Sequence, residues 1–170
     1  MKKAAIMLDD GYHDLELWVP YYRLREEKIN FDILAWQNRL YKGEFGIDQI
    51  TPTRLLSDTP LKYDFVFFPG AKSPGNLLRN PKTVDIVKKM SDEGTFFATI
   101  CHSPLLLAEA GLLKGKRITG HPSIRSEVEN AGAIFVDSPV IRSSETIITA
   151  RTHFDLSEFM PEFINIIKSN

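Results

Sequence analysis

Two apolar stretches constrain this chain more than anything else in it. "DFVFF" (64–68) and "TFFATI" (95–100) run with almost no polar alternation. A strand with one face in water alternates apolar and polar residues. A run that is apolar throughout belongs to a strand covered on both faces, as in a parallel sheet flanked by helices. "AAIML" (4–8) and "FDILAW" (31–36) are also strand-length and β-rich, and helical patterns lie between these runs, near 14–27, 81–93 and 103–113. The alternation predicts an α/β protein: a doubly wound sandwich with a mostly parallel central sheet and helices on both faces.

Local signals fill in the rest. Val84, Val87 and Met90 give the helix at 81–93 an apolar face, and Pro81 suits its first turn, where a missing N–H costs nothing. Pro20 sits inside the first helical pattern, so a kink there or a start later than Asp14 is expected. "RLYKGEFGIDQITPT" (39–53) reads as a small antiparallel excursion. After Gly115 come a short strand (116–119), a helical stretch (123–130) and the strand "AIFVD". "VIRSSETIITA" (140–150) reads as a hairpin, and a closing helix puts Phe159, Phe163, Ile166 and Ile167 on one face. No repeat, linker or low-complexity segment divides the 170 residues, so a single domain over 1–170 is expected.

Composition narrows the function classes. A formal charge of −1 gives no electrostatic case for nucleic acid or an anionic membrane as partner. No stretch approaches the ~20 apolar residues of a membrane span, and the short run after Lys2 and Lys3 is broken by Asp9 and Asp10, too early for a signal peptide. The single cysteine excludes an internal disulfide framework and suits a reducing compartment. A soluble, cytoplasmic protein is expected. The four histidines show no metal-ligand spacing, and "PGAKSPGN" is neither a P-loop nor a dinucleotide fingerprint. Neither a metal nor a cofactor is expected.

The lone cysteine, Cys101, ends the run 95–100, and Pro104 requires a helix to begin at about His102 or Ser103. The strand-to-helix turn is therefore tight, and the small residues Thr99 and Ser103 flank the thiol at two positions either side. This is the small-x-nucleophile-x-small pattern of a nucleophile elbow, with Cys in place of Ser. Such a turn projects its side chain beyond the carboxyl end of a strand, where α/β sheets bind ligands. A thiol at a helix start is expected to titrate below ~8.5. The competing reading is a buried cysteine acting as a small hydrophobe.

"ATICHSPLLLAEAGLLKGKRITGHPSI" (98–124) resembles the cysteine-elbow signature of the ThiJ/PfpI family, and the resemblance runs collinearly over nearly the whole chain. "DGYHDLELWVPYYRLREE" is similar to that family's acidic segment after the first strand. "YDFVFFPGAKSPGNLLRN" resembles its strand–Pro–Gly–Gly loop, and "TARTHFDLSEFM" its C-terminal stretch. The family includes PfpI-type intracellular proteases, oxidative-stress proteins described as glyoxalases and deglycases, and relatives of class I glutamine amidotransferases. The resemblance implies a flavodoxin-like fold and a homodimer or larger homo-oligomer.

It also implies roles. Glu16 falls on the family's acid beside the nucleophile, where burial and the thiolate would raise its pKa and let it donate to sulfur or shuttle a proton. From spacing alone it reads as a solvated helix acid. His102 follows Cys101 as in the protease-like members, whose histidine is oriented by a partner-subunit glutamate. Pro74 and Gly75 stand in that position here, so the carboxylate is missing and His102 is a weaker base. Gly70 and Ala71 occupy the oxyanion loop, with Ala71 replacing a second glycine, so a positive φ there would cost energy. His121 either lines the pocket or caps the turn from Ser123. His153 stands where the family has proline, at the pocket rim. His13 reads as a surface residue, and Arg151 as structural or at a subunit contact.

The expectation is a cofactor-free enzyme acting on small reactive carbonyls, glyoxalase- or deglycase-like, through a hemithioacetal at Cys101 with Glu16 (or His102) moving the proton. The alternatives are a redox or stress-response protein oxidised at Cys101, a PfpI-type peptidase or amidase, disfavoured by Gly75, and an inactive scaffold.

Overall fold

The computed structural model describes residues 2–58 and 60–169. The elements run β1 (Ala4–Met7), α1 (Asp14–Glu26), β2 (Phe31–Ala35), β3 (Tyr41–Lys42), β4 (Gln49–Ile50), β5 (Arg54–Leu55), β6 (Phe65–Phe68), α2 (Ser73–Leu78) and α3 (Lys82–Asp92). They continue as β7 (Phe96–Ile100), α4 (Pro104–Glu109), β8 (Arg117–Ile118), α5 (Arg125–Asn130), β9 (Ile134–Phe135), β10 (Val140–Ser144), β11 (Ile147–Ala150) and α6 (Leu156–Ser169). The main sheet has the order β10-β11-β7-β6-β1-β2-β5. Its pairs are parallel apart from the β10–β11 hairpin.

The continuous apolar runs have the cause their pattern implied. Successive residues point to opposite faces of a strand, and here both faces are covered. Ile6, Phe65, Phe67, Ala98 and Ile100 pack on one side with Leu17 and Leu24 of α1 and Phe159 and Phe163 of α6. Met7, Val66, Phe68 and Phe97 pack on the other with Leu77, Val87, Met90 and Leu107. At about 1.5–3 kcal/mol for each large side chain withdrawn from water, these two layers dominate the stability.

Four details depart from the sequence expectations. α1 starts at Asp14 and runs unbroken through the buried Pro20, because packing against the sheet outweighs the one hydrogen bond that proline forgoes. α4 ends at Glu109 instead of reaching 113, stopped by Gly111 at φ +74° with its N–H on the carbonyl of Ala108. The short α2 and the edge strand β5 had no periodic signal of their own. The excursion at 39–53 is the antiparallel pair β3–β4, and the loop between the two strands is tied down by Asp14, whose carboxylate accepts from the N–H groups of Phe45 and Ile47 at 2.8 Å each. No helix among the described residues is long and apolar enough to cross a membrane.

Candidate active site

Strands β1, β6 and β7 lie side by side, so their carboxyl ends bring the start of α1, the 69–71 loop and the β7–α4 turn into one row. Cys101 is the first residue past β7 and sits at φ +62°. A left-handed conformation costs an L-residue ~1–2 kcal/mol, so surrounding bonds must hold it. Cys101 N–H donates to the Ala150 carbonyl at 3.1 Å, and its own carbonyl accepts from His121 N–H at 2.8 Å. Ser103 Oγ accepts from Ile100 N–H at 2.8 Å and lies 2.8 Å from the Phe68 carbonyl. The small flanking serine is thus a buried clamp on the turn.

The acid arrives from α1. Glu16 is fully buried, and its Oε2 accepts from Gly70 N–H at 2.7 Å while the carboxyl also meets the Cys101 thiol. Burial raises its pKa to about 7, against the opposing pull of the Gly70 N–H and the thiol. Gly70 has to be glycine. A Cβ there would lie 2.6 Å from Cys101 Cβ and 2.7 Å from Glu16 Oε2. Ala71 does adopt φ +55°, the strain its sequence position raised, and its N–H and that of His102 are directed at the sulfur.

The thiol departs from expectation. Burial, and after it the charge of Glu16, push Cys101 up to about 12, while the two N–H groups pull weakly the other way. Only a six-residue helix follows the turn, and Cys101 is 5% exposed, so desolvation outweighs the helix start. Protonating Glu16 removes the repelling charge.

His102 Nδ1 lies 3.0 Å from Cys101 Sγ, and its Nε2 lies 3.0 Å from Ser123 Oγ. Ser123 Oγ is also 2.8 Å from His121 Nδ1, and the two imidazoles stack at 4.5 Å. The Ser123 hydroxyl thus contacts the His102 ring nitrogen on the side away from sulfur. Sequence reasoning overlooked Ser123, whose only signal was its place after His121 and Pro122. Burial and the neighbouring His121 lower the pKa of His102, so thiol and imidazole face each other uncharged. His121 Nδ1 accepts from Ser123 N–H at 3.2 Å, capping the turn, while its ring stacks on that of His102. Gly75 lies exposed on α2 with open space where a side chain would project.

His13 is not a surface residue. It is buried, stacks on His153 at 4.2 Å, and meets Phe45 edge-on at 5.1 Å. Together with Glu16 these histidines bring ligand-type atoms within 4.8 Å of one another, a grouping no local spacing encoded. Arg151 pairs with Asp155 at 2.9 Å and Asp137 at 2.7 Å. It thereby fixes the capped turn 152–155 that carries His153.

A cysteine held left-handed on a strand-to-helix turn, at the carboxyl edge of a doubly wound sheet, places this chain among the nucleophile-elbow α/β proteins. The model of the DJ-1/PfpI family matches residues 2–166, and the chain belongs to that family. The deglycase PfpI of Pyrococcus furiosus is 33% identical over 166 residues, covering 98% of this chain and 99% of the relative. General stress protein 18 of Bacillus subtilis is 31% identical, with 98% of each chain covered. Among solved structures, a two-domain protein of Anabaena variabilis with DJ-1/ThiJ/PfpI-like and ferritin-like domains matches at TM-score 0.93 and 29% identity. The match covers 99% of this chain and 48% of that protein, so the chain spans about half its length.

Proposed function

We propose that this chain is a cysteine-dependent enzyme acting on small reactive carbonyls, of the glyoxalase or deglycase type. The observation that carries the reading is the contact of one thiol with both an acid of pKa about 7 and an uncharged imidazole. Similarity to proteins named deglycases supports it. With a 2-oxoaldehyde such as methylglyoxal, Cys101 Sγ adds to the aldehyde carbon. The thiol proton passes to His102 Nδ1, and the oxygen, once protonated, completes the hemithioacetal. The Ala71 and His102 N–H groups lie on the side where that oxygen develops charge.

Ionised Glu16 then takes the proton from the former aldehyde carbon and returns it to the adjacent carbon, while the hemithioacetal hydroxyl proton passes to the neighbouring carbonyl oxygen. The result is a thioester of the 2-hydroxy acid, which water cleaves to free the acid and the thiol. An acid half-ionised near neutrality suits both halves of that transfer. The 5% exposure of Cys101 favours a small carbonyl over a peptide. The missing carboxylate at Gly75 and the uncharged thiol–imidazole pair count against peptidase chemistry.

The test is release of lactate from methylglyoxal by wild type, Cys101→Ala and Glu16→Gln. Turnover lost in both variants supports the reading, and turnover that survives Cys101→Ala refutes it. A redox role is the second reading, favoured by the acid's contact with sulfur, since protonated Glu16 could hold a sulfinate. A gain of two oxygens at Cys101 under mild peroxide, with no turnover, would put it first.

A further inference from the structure

Two buried polar atoms of this site have no hydrogen-bond partner: His13 Nδ1 and Glu16 Oε1. Leaving a buried polar atom unpaired costs ~1–3 kcal/mol, and here two such atoms belong to residues one helical turn apart. Glu16 is fully buried and His13 is 8% exposed. His153 closes the group from a different element, the turn before α6, and ligand-type atoms of all three residues lie within 4.8 Å of one another. Bonds of ~2.0–2.2 Å about a tetrahedral ion hold ligand atoms about 3.4 Å apart, so the group would close inward from its 4.8 Å limit by rotation of the two imidazoles.

We propose that His13, Glu16 and His153 form a binding site for a divalent transition ion of the zinc type. Two imidazoles and one carboxylate are borderline N/O ligands. They suit zinc, and three protein ligands leave a fourth position open. Burial and the neighbouring His153 hold His13 uncharged, with a lone pair to give. Phe45 lies edge-on to the His13 ring at 5.1 Å and Phe154 packs on His153 at 4.0 Å. Both orphaned atoms belong to residues of this group, which an ion would draw together. The ion would also engage the carboxyl that serves Cys101, so metal binding and thiol chemistry share Glu16. The inference goes beyond the carbonyl reading and does not rest on it.

The experiment is a zinc titration of chelator-stripped protein against a chromophoric competitor, with cobalt substituted for zinc to record its visible spectrum. Wild type and Cys101→Ser are expected to bind one ion per chain, and the cobalt spectrum to lack a thiolate charge-transfer band. His153→Ala, with His153→Asn beside it in case the first is unstable, is expected to bind at least ~10-fold more weakly. Absence of stoichiometric binding would overturn the proposal and leave a water as the partner of both atoms. Undiminished binding in the His153 variants would overturn it too. So would loss of the ion in Cys101→Ser, which would place it on the thiol.

Discussion

Glu16 sits in this fold at the cost of stability, and the cost has a pH signature. Raising a buried carboxyl from its ordinary 4.5 to about 7 corresponds to ~3 kcal/mol held against its ionised form. The sign follows from proton counting. Between these two values the folded chain binds more protons at Glu16 than the unfolded chain does, so stability falls as pH rises. The penalty is absent below about 4.5, grows by ~1.4 kcal/mol per pH unit, and is complete above about 7. Glu16→Gln keeps the shape and can still accept from Gly70 N–H, but it cannot ionise. Urea unfolding of wild type and Glu16→Gln at a series of pH values, with a chelator present, isolates the effect, because most other titrations cancel in the difference. The variant is expected to gain on wild type as pH rises, levelling at up to ~3 kcal/mol above pH 7. A difference that stays flat with pH, or grows in favour of wild type, would refute the account of a carboxyl raised by burial.

Three further outcomes follow from the same geometry. Alkylation of Cys101 by iodoacetamide, followed by intact mass, is expected to show an apparent pKa above the usual thiol range in wild type. That value should fall in Glu16→Gln, since burial remains but the repelling charge is gone; an unchanged value would separate acid from thiol. Gly70→Ala places a carbon 2.6 Å from Cys101 Cβ, 2.7 Å from Glu16 Oε2 and 2.9 Å from the Ile100 carbonyl. Two of these neighbours are a Cβ and a backbone carbonyl, and the third is a buried carboxyl held on Gly70 N–H, so a loss of ~1–3 kcal/mol in thermal unfolding and ~100-fold in methylglyoxal turnover is expected. Ser123→Ala leaves His102 Nε2 without its 3.0 Å partner on an exposed turn. Turnover should drop ~10-fold while stability changes by under ~0.5 kcal/mol, and equal turnover would mean that His102 needs no orienting group.

The sequence by itself determined the central strands, their parallel arrangement and the sharp turn at Cys101. Apolar runs at 64–68 and 95–100 can be buried only between two helical layers, and Pro104 leaves no room between strand and helix but a sharp turn at Cys101. These are local and periodic signals, carried by neighbours in the chain. The resemblance added Glu16, which spacing would have left on a solvated helix face. Only the tertiary structure decided the electrostatics. The sign of the Cys101 shift, the pKa of Glu16 and the uncharged state of His102 all follow from desolvation, which depends on what the whole fold packs around a group. The same holds for His13, whose burial beside the 43–48 loop depends on Asp14 anchoring that loop from 31 and 33 residues away in sequence. Ser123 and His153 reached the site from distant segments as well, one through the stacked histidines 102 and 121, the other through the Arg151–Asp155 pair. Contacts between residues far apart in the chain leave no periodic trace in it, so a single sequence showed the elbow and the fold showed what surrounds it.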